Sequence, residues 1–332
     1  MLSLNNVSYP LNKKRVGKVM SCLRAPLRIG TRGSPLALVQ ARYVEGQLHF
    51  HHTDLADGVA EIVPIKTTGD KIQGKRLSTI GGKGLFTKEL DAALLASEVD
   101  IAVHSMKDMP TALPSGIIIG CVLPREDPRD AWIARDGVSY ADLPAHAVIG
   151  TASLRRCAQL LSRRPDVQVV ALRGNVQTRL AKLGSGLVDA TLLAVAGLKR
   201  LGQSNVITEI LSTDEMMPAV AQGAIAVVCR ANDAETMELL HHLDHPETRS
   251  SVTAERAFLE HLDGSCQTPI AALAEIRDAG KIVLGGLLAA PDGSKVVKGT
   301  AVGEAAFAGD LGRSLGAELL AEAGTDFLLP SG

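Results

Sequence analysis

The chain has 332 residues, 46% of them hydrophobic, enough for two or three domains that each bury a core. With 35 basic against 36 acidic residues the net charge is -1, so no global field draws the protein to nucleic acid or a membrane surface. Aromatic residues make up only 3%, which removes the stacking platforms of single-strand nucleic-acid binders, and no stretch approaches the ~20 apolar residues of a membrane span.

Residues 1–25 carry Lys13, Lys14, Arg15, Lys18 and Arg24 with no acid and no long apolar run. A loose basic extension on a cytoplasmic protein is the expected reading. Organelle targeting and translation from Met20 stay open alternatives. From about residue 26, short β-branched runs alternate with helical patterns, which predicts βα units and mainly parallel sheets. The expected strands are Leu27 to Thr31, Ala60 to Thr67, Asp100 to His104, Ala147 to Thr151, Val167 to Leu172 and Ala190 to Val195. Apolar spacing predicts helices over Leu36 to Leu48, Lys88 to Ser97, Leu154 to Arg164, Val176 to Leu183 and Leu198 to Leu201.

Between them, Asp70 to Gly84 is polar, basic and glycine-rich, the composition of a functional lid. After Asp244 the pattern changes to a helix over Val252 to Leu262, a Gly-Ser-Cys loop and strands over Ile270 to Ile276, Lys281 to Leu288 and Lys295 to Val302. Asp292-Gly293 reads as a hairpin turn and Asp310 to Ala323 as a closing helix. This predicts a small α+β domain with an antiparallel sheet.

Ile29-Gly30-Thr31-Arg32-Gly33-Ser34-Pro35 and Ile149-Gly150-Thr151-Ala152-Ser153-Leu154-Arg155 look like copies. Each ends a strand in Gly-Thr and then places a serine where a helix should start, so two similar lobes are expected, each presenting a helix N-terminus. Open α/β sheets bind ligands beyond strand C-termini. There the sequence places Arg32 and Ser34; Ser105, Lys107 and Asp108; Ser153, Arg155 and Arg156; Arg173 and Asn175; and Lys199 and Arg200. Arginine forks grip carboxylates through paired charge-assisted hydrogen bonds, so cations from five strand ends point to a polycarboxylate ligand. Asp108 is the odd acid on this basic edge, placed to stabilise positive charge.

Cys266 sits in Leu262-Asp263-Gly264-Ser265-Cys266-Gln267-Thr268-Pro269, a loop that would expose its thiol, whereas Cys121, Cys157 and Cys229 occupy packing contexts. Gly82-Lys83 fails as a phosphate-binding loop because Leu77 stands where the first glycine belongs. The triplets His49, His51, His52 and His241, His242, His245 lack a metal-site pattern and read as surface histidines.

Gly150 to Arg156, Leu172-Arg173-Gly174-Asn175, Ala102 to Asp108 and Gly264 to Pro269 together closely resemble the porphobilinogen deaminase family, with similarity running from about Leu27 to the C-terminus. That resemblance implies an α/β fold of two periplasmic-binding-protein-like (type II) lobes plus a small C-terminal α+β domain with an antiparallel sheet. The implied boundaries are 26–123 with 223–243 for lobe one, 129–217 for lobe two and 246–332 for the last domain. It implies a dipyrromethane cofactor held by a thioether to Cys266. It also implies porphobilinogen as small-molecule substrate, four molecules of which condense head to tail with loss of ammonia before water frees hydroxymethylbilane. Each pyrrole carries an acetate and a propionate, so an arginine-lined cleft suits the growing chain. The resemblance assigns Asp108, Arg32 and Lys107 to catalysis. It assigns Lys107, Asp108, Ser105, Thr151, Ser153, Arg155, Arg156, Gly174 and Arg179 to the cofactor, and Arg32, Ser34, Gln40, Lys83, Phe86, Arg173, Arg179 and Arg200 to substrate. No metal, nucleic acid or membrane partner is implied, and the family expectation is a monomer. The sequence departs from the family pattern at Ala152, Ala221 and Ser265, the last two standing for glycines. A bilobal anion-binding protein without chemistry is the alternative reading; it would share the lobes and arginines.

Overall fold

The computed structural model describes residues 26–52, 60–71, 84, 86–262, 268–277, 280–324 and 327. The basic extension 1–25, most of the predicted lid (residues 72–83) and residues 263–267 around Cys266 lie outside them.

Thirteen strands among the described residues form three sheets. The first joins β1 (Leu27–Arg32), β2 (Ala60–Ile65), β3 (Ile101–Ser105), β4 (Ile117–Val122) and β10 (Ile225–Arg230) in the order β2-β1-β3-β10-β4. The second joins β5 (Asp130–Ala134), β6 (Val148–Gly150), β7 (Gln168–Val170), β8 (Ala190–Ala194) and β9 (Glu209–Ile210) in the order β7-β6-β8-β5-β9. The orders superimpose if β1, β2, β3, β10 and β4 match β6, β7, β8, β5 and β9, so the two lobes share one topology, as the repeated motif predicts. In both copies of the motif a glycine lets chains approach closely: a Cβ on Gly30 would meet Val99 Cγ2 at 3.0 Å and one on Gly150 would meet Leu172 Cδ2 at 2.8 Å.

The sheets are mixed rather than mainly parallel. β1 pairs in parallel with β2 and β3, but β10 runs antiparallel to β3 and β4, and β5 runs antiparallel to β8 and β9. The cause is the double crossing. The chain leaves the first sheet after β4 and returns only for β10, so β5 and β10 each enter from the edge where the parallel strands end. Their runs, Asp-Ala-Trp-Ile-Ala and Ile-Ala-Val-Val-Cys-Arg, are almost wholly buried and lack the alternation that marks a half-exposed strand.

Helices cover the sheets: α1 (Pro35–His51), α2 (Lys88–Leu95), α3 (Leu154–Arg163), α4 (Val176–Gly184), α5 (Val195–Arg200), α6 (Ala234–His241), α7 (Pro246–His261) and α8 (Ala308–Ala323). Helix α7 starts six residues before the apolar periodicity suggests, because Pro246 opens it and His245 Nδ1 accepts from Thr248 N at 3.2 Å. The third sheet, β11 (Ile270–Ile276), β12 (Lys281–Ala289) and β13 (Val296–Glu304), is antiparallel throughout. It packs on α7 and α8 in one core with lobe-one residues, joining Phe258, Leu284 and Leu315 to Leu90, Val122 and Val228.

The same small domain also reaches lobe two. The Asp292-Gly293 turn presses on the backbone of α3, where a Cβ on Gly293 would lie 2.5 Å from Ser162 N and 2.8 Å from Ala158 O, and its φ is +74°. Gly293→Ala is therefore expected to lose about 1–3 kcal/mol, from overpacking against backbone that cannot retreat. Thermal unfolding checks this; an unchanged midpoint would mean the turn is not held against α3.

At the return crossing, Ala221 takes φ +57° in the left-handed region, a conformation that costs a non-glycine residue roughly 1–2 kcal/mol. The crossing tolerates it because Ala221 N donates to Glu255 Oε2 at 2.6 Å.

Candidate active site

The first element of the site is a partly open pocket on lobe one, lined among others by Arg32, Ser34, Gln40, Phe86, His104, Ser105 and Asp108. Strand β1 delivers Arg32, whose guanidinium carbon stacks 4.2 Å above the Phe86 ring. Ser34 caps α1, accepting from Ala37 N at 3.4 Å. Buried Gln40 donates to Ser105 Oγ at 2.8 Å, fixing the hydroxyl at the end of β3. A 3-10 turn, Met106–Asp108, then carries Lys107 and Asp108 into the space between the lobes. Among the described residues the Asp108 carboxylate makes no hydrogen bond or ion pair.

The second element faces it from lobe two. Ser153 caps α3 by accepting from Arg156 N at 3.4 Å, and Thr151 Oγ1 accepts from Ser153 N at 3.1 Å. Helix α3 places Arg155 and Arg156, 4% and 5% exposed, beside the fully buried Asp130. Arg155 Nη1 lies 2.7 Å from Asp130 Oδ2 and donates to Met217 O at 2.7 Å; Arg156 donates to Asp130 Oδ1 at 2.7 Å and Leu192 O at 2.9 Å. Burial alone would raise the Asp130 carboxyl, but the two arginine charges and their hydrogen bonds hold it far below the usual carboxylate range.

Beyond β7, Gly174 at φ +119° turns the chain where a Cβ would strike Thr178 at 2.6 Å, and its carbonyl accepts from Arg179 Nε at 2.9 Å. Burial, then the Arg156 charge, lowers the Arg179 guanidinium to about 10, opposed by Asp108 across the cleft and reinforced by Arg173. These mutual influences place the basic edge of lobe two opposite Asp108 of lobe one. Arg200 donates to Gly223 O at 2.6 Å and Lys199 to Glu126 Oε1 at 2.8 Å, so the end of α5 is tied to both inter-lobe crossings. Lys83 and Cys266 lie outside the described residues.

Several partners escaped sequence reasoning. Asp130 and Gln222 stand at the N-terminal ends of β5 and β10, or just before them, and reach the ligand edge because those strands run antiparallel. A search of strand C-termini alone passes over them. His104 is also new: burial and the Arg32 charge push its imidazole down to about 4, so it is neutral, and its buried Nε2 has no hydrogen-bond partner among the described residues. The two histidine triplets do meet, with the His52 and His242 rings 5.1 Å apart, yet no group among the described residues could hold a metal ion. Cys121 and Cys229 are buried, with burial pushing the Cys229 thiol up to about 11, which fits packing rather than reactivity.

Among the described residues, the buried Nε atoms of Arg155, Arg156 and Arg173 have no hydrogen-bond partner. A buried cationic donor left unpaired is costly, so these atoms fit an anionic ligand reaching in between the lobes. The donor set is that of a polycarboxylate site: fixed arginine N-H groups from lobe two, Lys107 from lobe one and a capped helix N-terminus from each lobe, with the Asp108 carboxylate set among them for developing positive charge.

Comparison with known proteins points the same way. The sequence matches the family described as porphobilinogen deaminase, dipyromethane cofactor binding domain, over residues 27–238, and the porphobilinogen deaminase C-terminal domain over 250–321. It is 54% identical over 307 residues to the chloroplastic porphobilinogen deaminase of Pisum sativum, covering 91% of this chain and 83% of that protein. It is 53% identical over 302 residues to the porphobilinogen deaminase of Paracoccus denitrificans, covering 91% and 96%.

Proposed function

The chain belongs to the porphobilinogen deaminase family, and from that premise we propose how its residues divide the work of an enzyme that condenses porphobilinogen in tetrapyrrole synthesis. The cofactor is dipyrromethane, which when bound supplies the nucleophilic pyrrole carbon and a set of anchoring carboxylates. The finer reading is a transferase that joins four porphobilinogen molecules head to tail with loss of ammonia and then releases hydroxymethylbilane by hydrolysis. Cys266 is the proposed attachment point.

In this reading Lys107, Arg155, Arg156 and Arg179, with Ser105, Thr151, Ser153 and the turn at Gly174, hold cofactor carboxylates. Arg32, Ser34, Gln40, Phe86, Arg173, Arg179 and Arg200, with Lys83 from the polar loop, receive substrate and the growing chain. Asp108 stabilises the positive charge that develops on substrate as ammonia leaves, and it can carry the proton released on coupling. The observation that supports this most is the meeting of unpartnered arginine N-H groups on lobe two with an uncommitted carboxylate on lobe one. The working unit is proposed as a cytoplasmic monomer with lobe one at 26–123 and 223–243, lobe two at 129–217 and the last domain at 246–332.

Two measurements test the reading together. The intact mass of active protein should exceed the polypeptide mass by two pyrrole units, and porphobilinogen should yield ammonia. Turnover at the bare polypeptide mass would overturn the covalent cofactor, and binding without ammonia release would overturn catalysis.

A further inference from the structure

We infer that Gln222 is a positioning residue that locks the Lys107 ammonium to Asp130 across the junction of the two lobes; this rests on the reading that Lys107 holds a cofactor carboxylate. Gln222 is fully buried in the return crossing, three residues before β10. Its Oε1 accepts from Lys107 Nζ at 3.1 Å, and its Nε2 donates to Pro128 O at 2.7 Å and to Asp130 Oδ1 at 2.8 Å. One side chain thus joins the outgoing crossing, the return crossing and the turn after β3. Asp130 also holds Arg155 and Arg156, so the amide makes the lobe-one cation and the lobe-two pair a single hydrogen-bonded unit.

A primary amide suits this place because one end accepts from a cation while the other donates to an anion and a carbonyl. Methionine would fill the volume but leave the Lys107 ammonium without its acceptor. With Gln222 taking one of three N-H donors, the other two keep a fixed direction toward a ligand, which is the condition for productive geometry.

The charge state of Lys107 gives a readout that a merely structural role would not move. Facing it are Asp108 on its own turn and Arg155, Arg156 and Asp130 from lobe two, with neutral Gln222 from the crossing. Burial pushes the ammonium down to about 8; the Asp108 and Asp130 charges oppose that, and the Arg156 and Arg155 charges add to it. Lys107 is therefore charged below pH about 8 and loses its proton above it, so turnover should fall on the alkaline side as pH rises through that value. The Gln222 carbonyl accepts from the charged form and favours it, so losing this acceptor should move the fall to lower pH.

The test uses full-length, cofactor-loaded enzyme, with loading checked by intact mass and folding by thermal unfolding. Q222M is expected to lower kcat by about 10- to 100-fold per loaded molecule and to move the alkaline limb down by about one pH unit. Q222E keeps an acceptor for Lys107; ionised it adds negative charge beside the ammonium, and protonated it can still donate to Asp130 Oδ1, so in either form its limb should lie at or above that of the wild type. A Q222M limb that coincides with wild type overturns the inference. Should Q222M not fold, Q222E decides, and a limb below wild type overturns it. K107M separates the two levels. If K107M loads cofactor fully and keeps the wild-type limb, the reading of Lys107 fails; if K107M abolishes the limb but Q222M leaves it in place, only the role of Gln222 fails.

Discussion

Asp108→Asn is expected to lower kcat by about 100- to 1000-fold while leaving the cofactor-loaded fold intact, the scale seen when one preorganised group aimed at developing charge is removed. Asp108 lies at the rim of the lobe-one cavity and feels the Arg179 charge across the cleft, but no protein hydrogen bond or ion pair among the described residues engages its carboxylate. Asparagine keeps its size and most of its packing, so nothing structural is lost. On the proposed mechanism, what is lost is the negative charge facing a centre where cationic character grows as ammonia departs. Steady-state kinetics with thermal unfolding checks this; turnover within a few-fold of wild type would remove Asp108 from the chemistry.

Glu255→Ala is expected to cost about 3–5 kcal/mol of stability, because it strips the mostly buried Arg125 guanidinium of its counter-charge and leaves two buried backbone N-H groups without an acceptor. Glu255, on α7, is 0% exposed and receives four donors: Arg125 Nη1 at 2.5 Å, Arg125 Nη2 at 3.1 Å, Ala221 N at 2.6 Å and Ala274 N at 2.8 Å. Arg125 belongs to the outgoing crossing, Ala221 to the return crossing and Ala274 to β11. One carboxylate therefore fastens both crossings to the small domain, and its loss also releases the left-handed strain held at Ala221. The apparent unfolding midpoint should fall by on the order of 10 °C. A shift within the error of the scan would show that the crossings are held by packing alone.

These two acids differ in how far the sequence reveals them. Asp108 is legible because it follows a strand C-terminus within a run of hydroxyls and cations, and its neighbours carry the family resemblance. Glu255 sits in a helix whose apolar spacing suggests an ordinary amphipathic element, and nothing local marks one of its acids as fully buried. Asp130 is hidden in a similar way within Glu-Asp-Pro-Arg-Asp, which reads as a polar connection until β5 is seen to begin there. Arg155 and Arg156 were legible as site cations, but not as cations already joined to Asp130 and two backbone carbonyls, with mainly their Nε atoms left unpaired.

The sequence by itself determined the elements: strands and helices with local periodicity, the repeated Gly-Thr turn whose serine, two or three residues after the threonine-bearing strand end, starts one helix in each lobe, and the cations gathered beyond strand ends. Each depends on residues within a few positions of one another, where backbone preference and capping act. Only the tertiary structure decided the directions of β5 and β10, because strand direction follows from the route of a chain that leaves one lobe and returns after building the other. That route brings Asp130 and Gln222 to the ligand edge from strand N-termini and sets Glu255 against both crossings. Such partners lie about 90 to 130 residues apart, as with Asp130 and Gln222 or Arg125 and Glu255, a separation over which no local pattern in the sequence carries information.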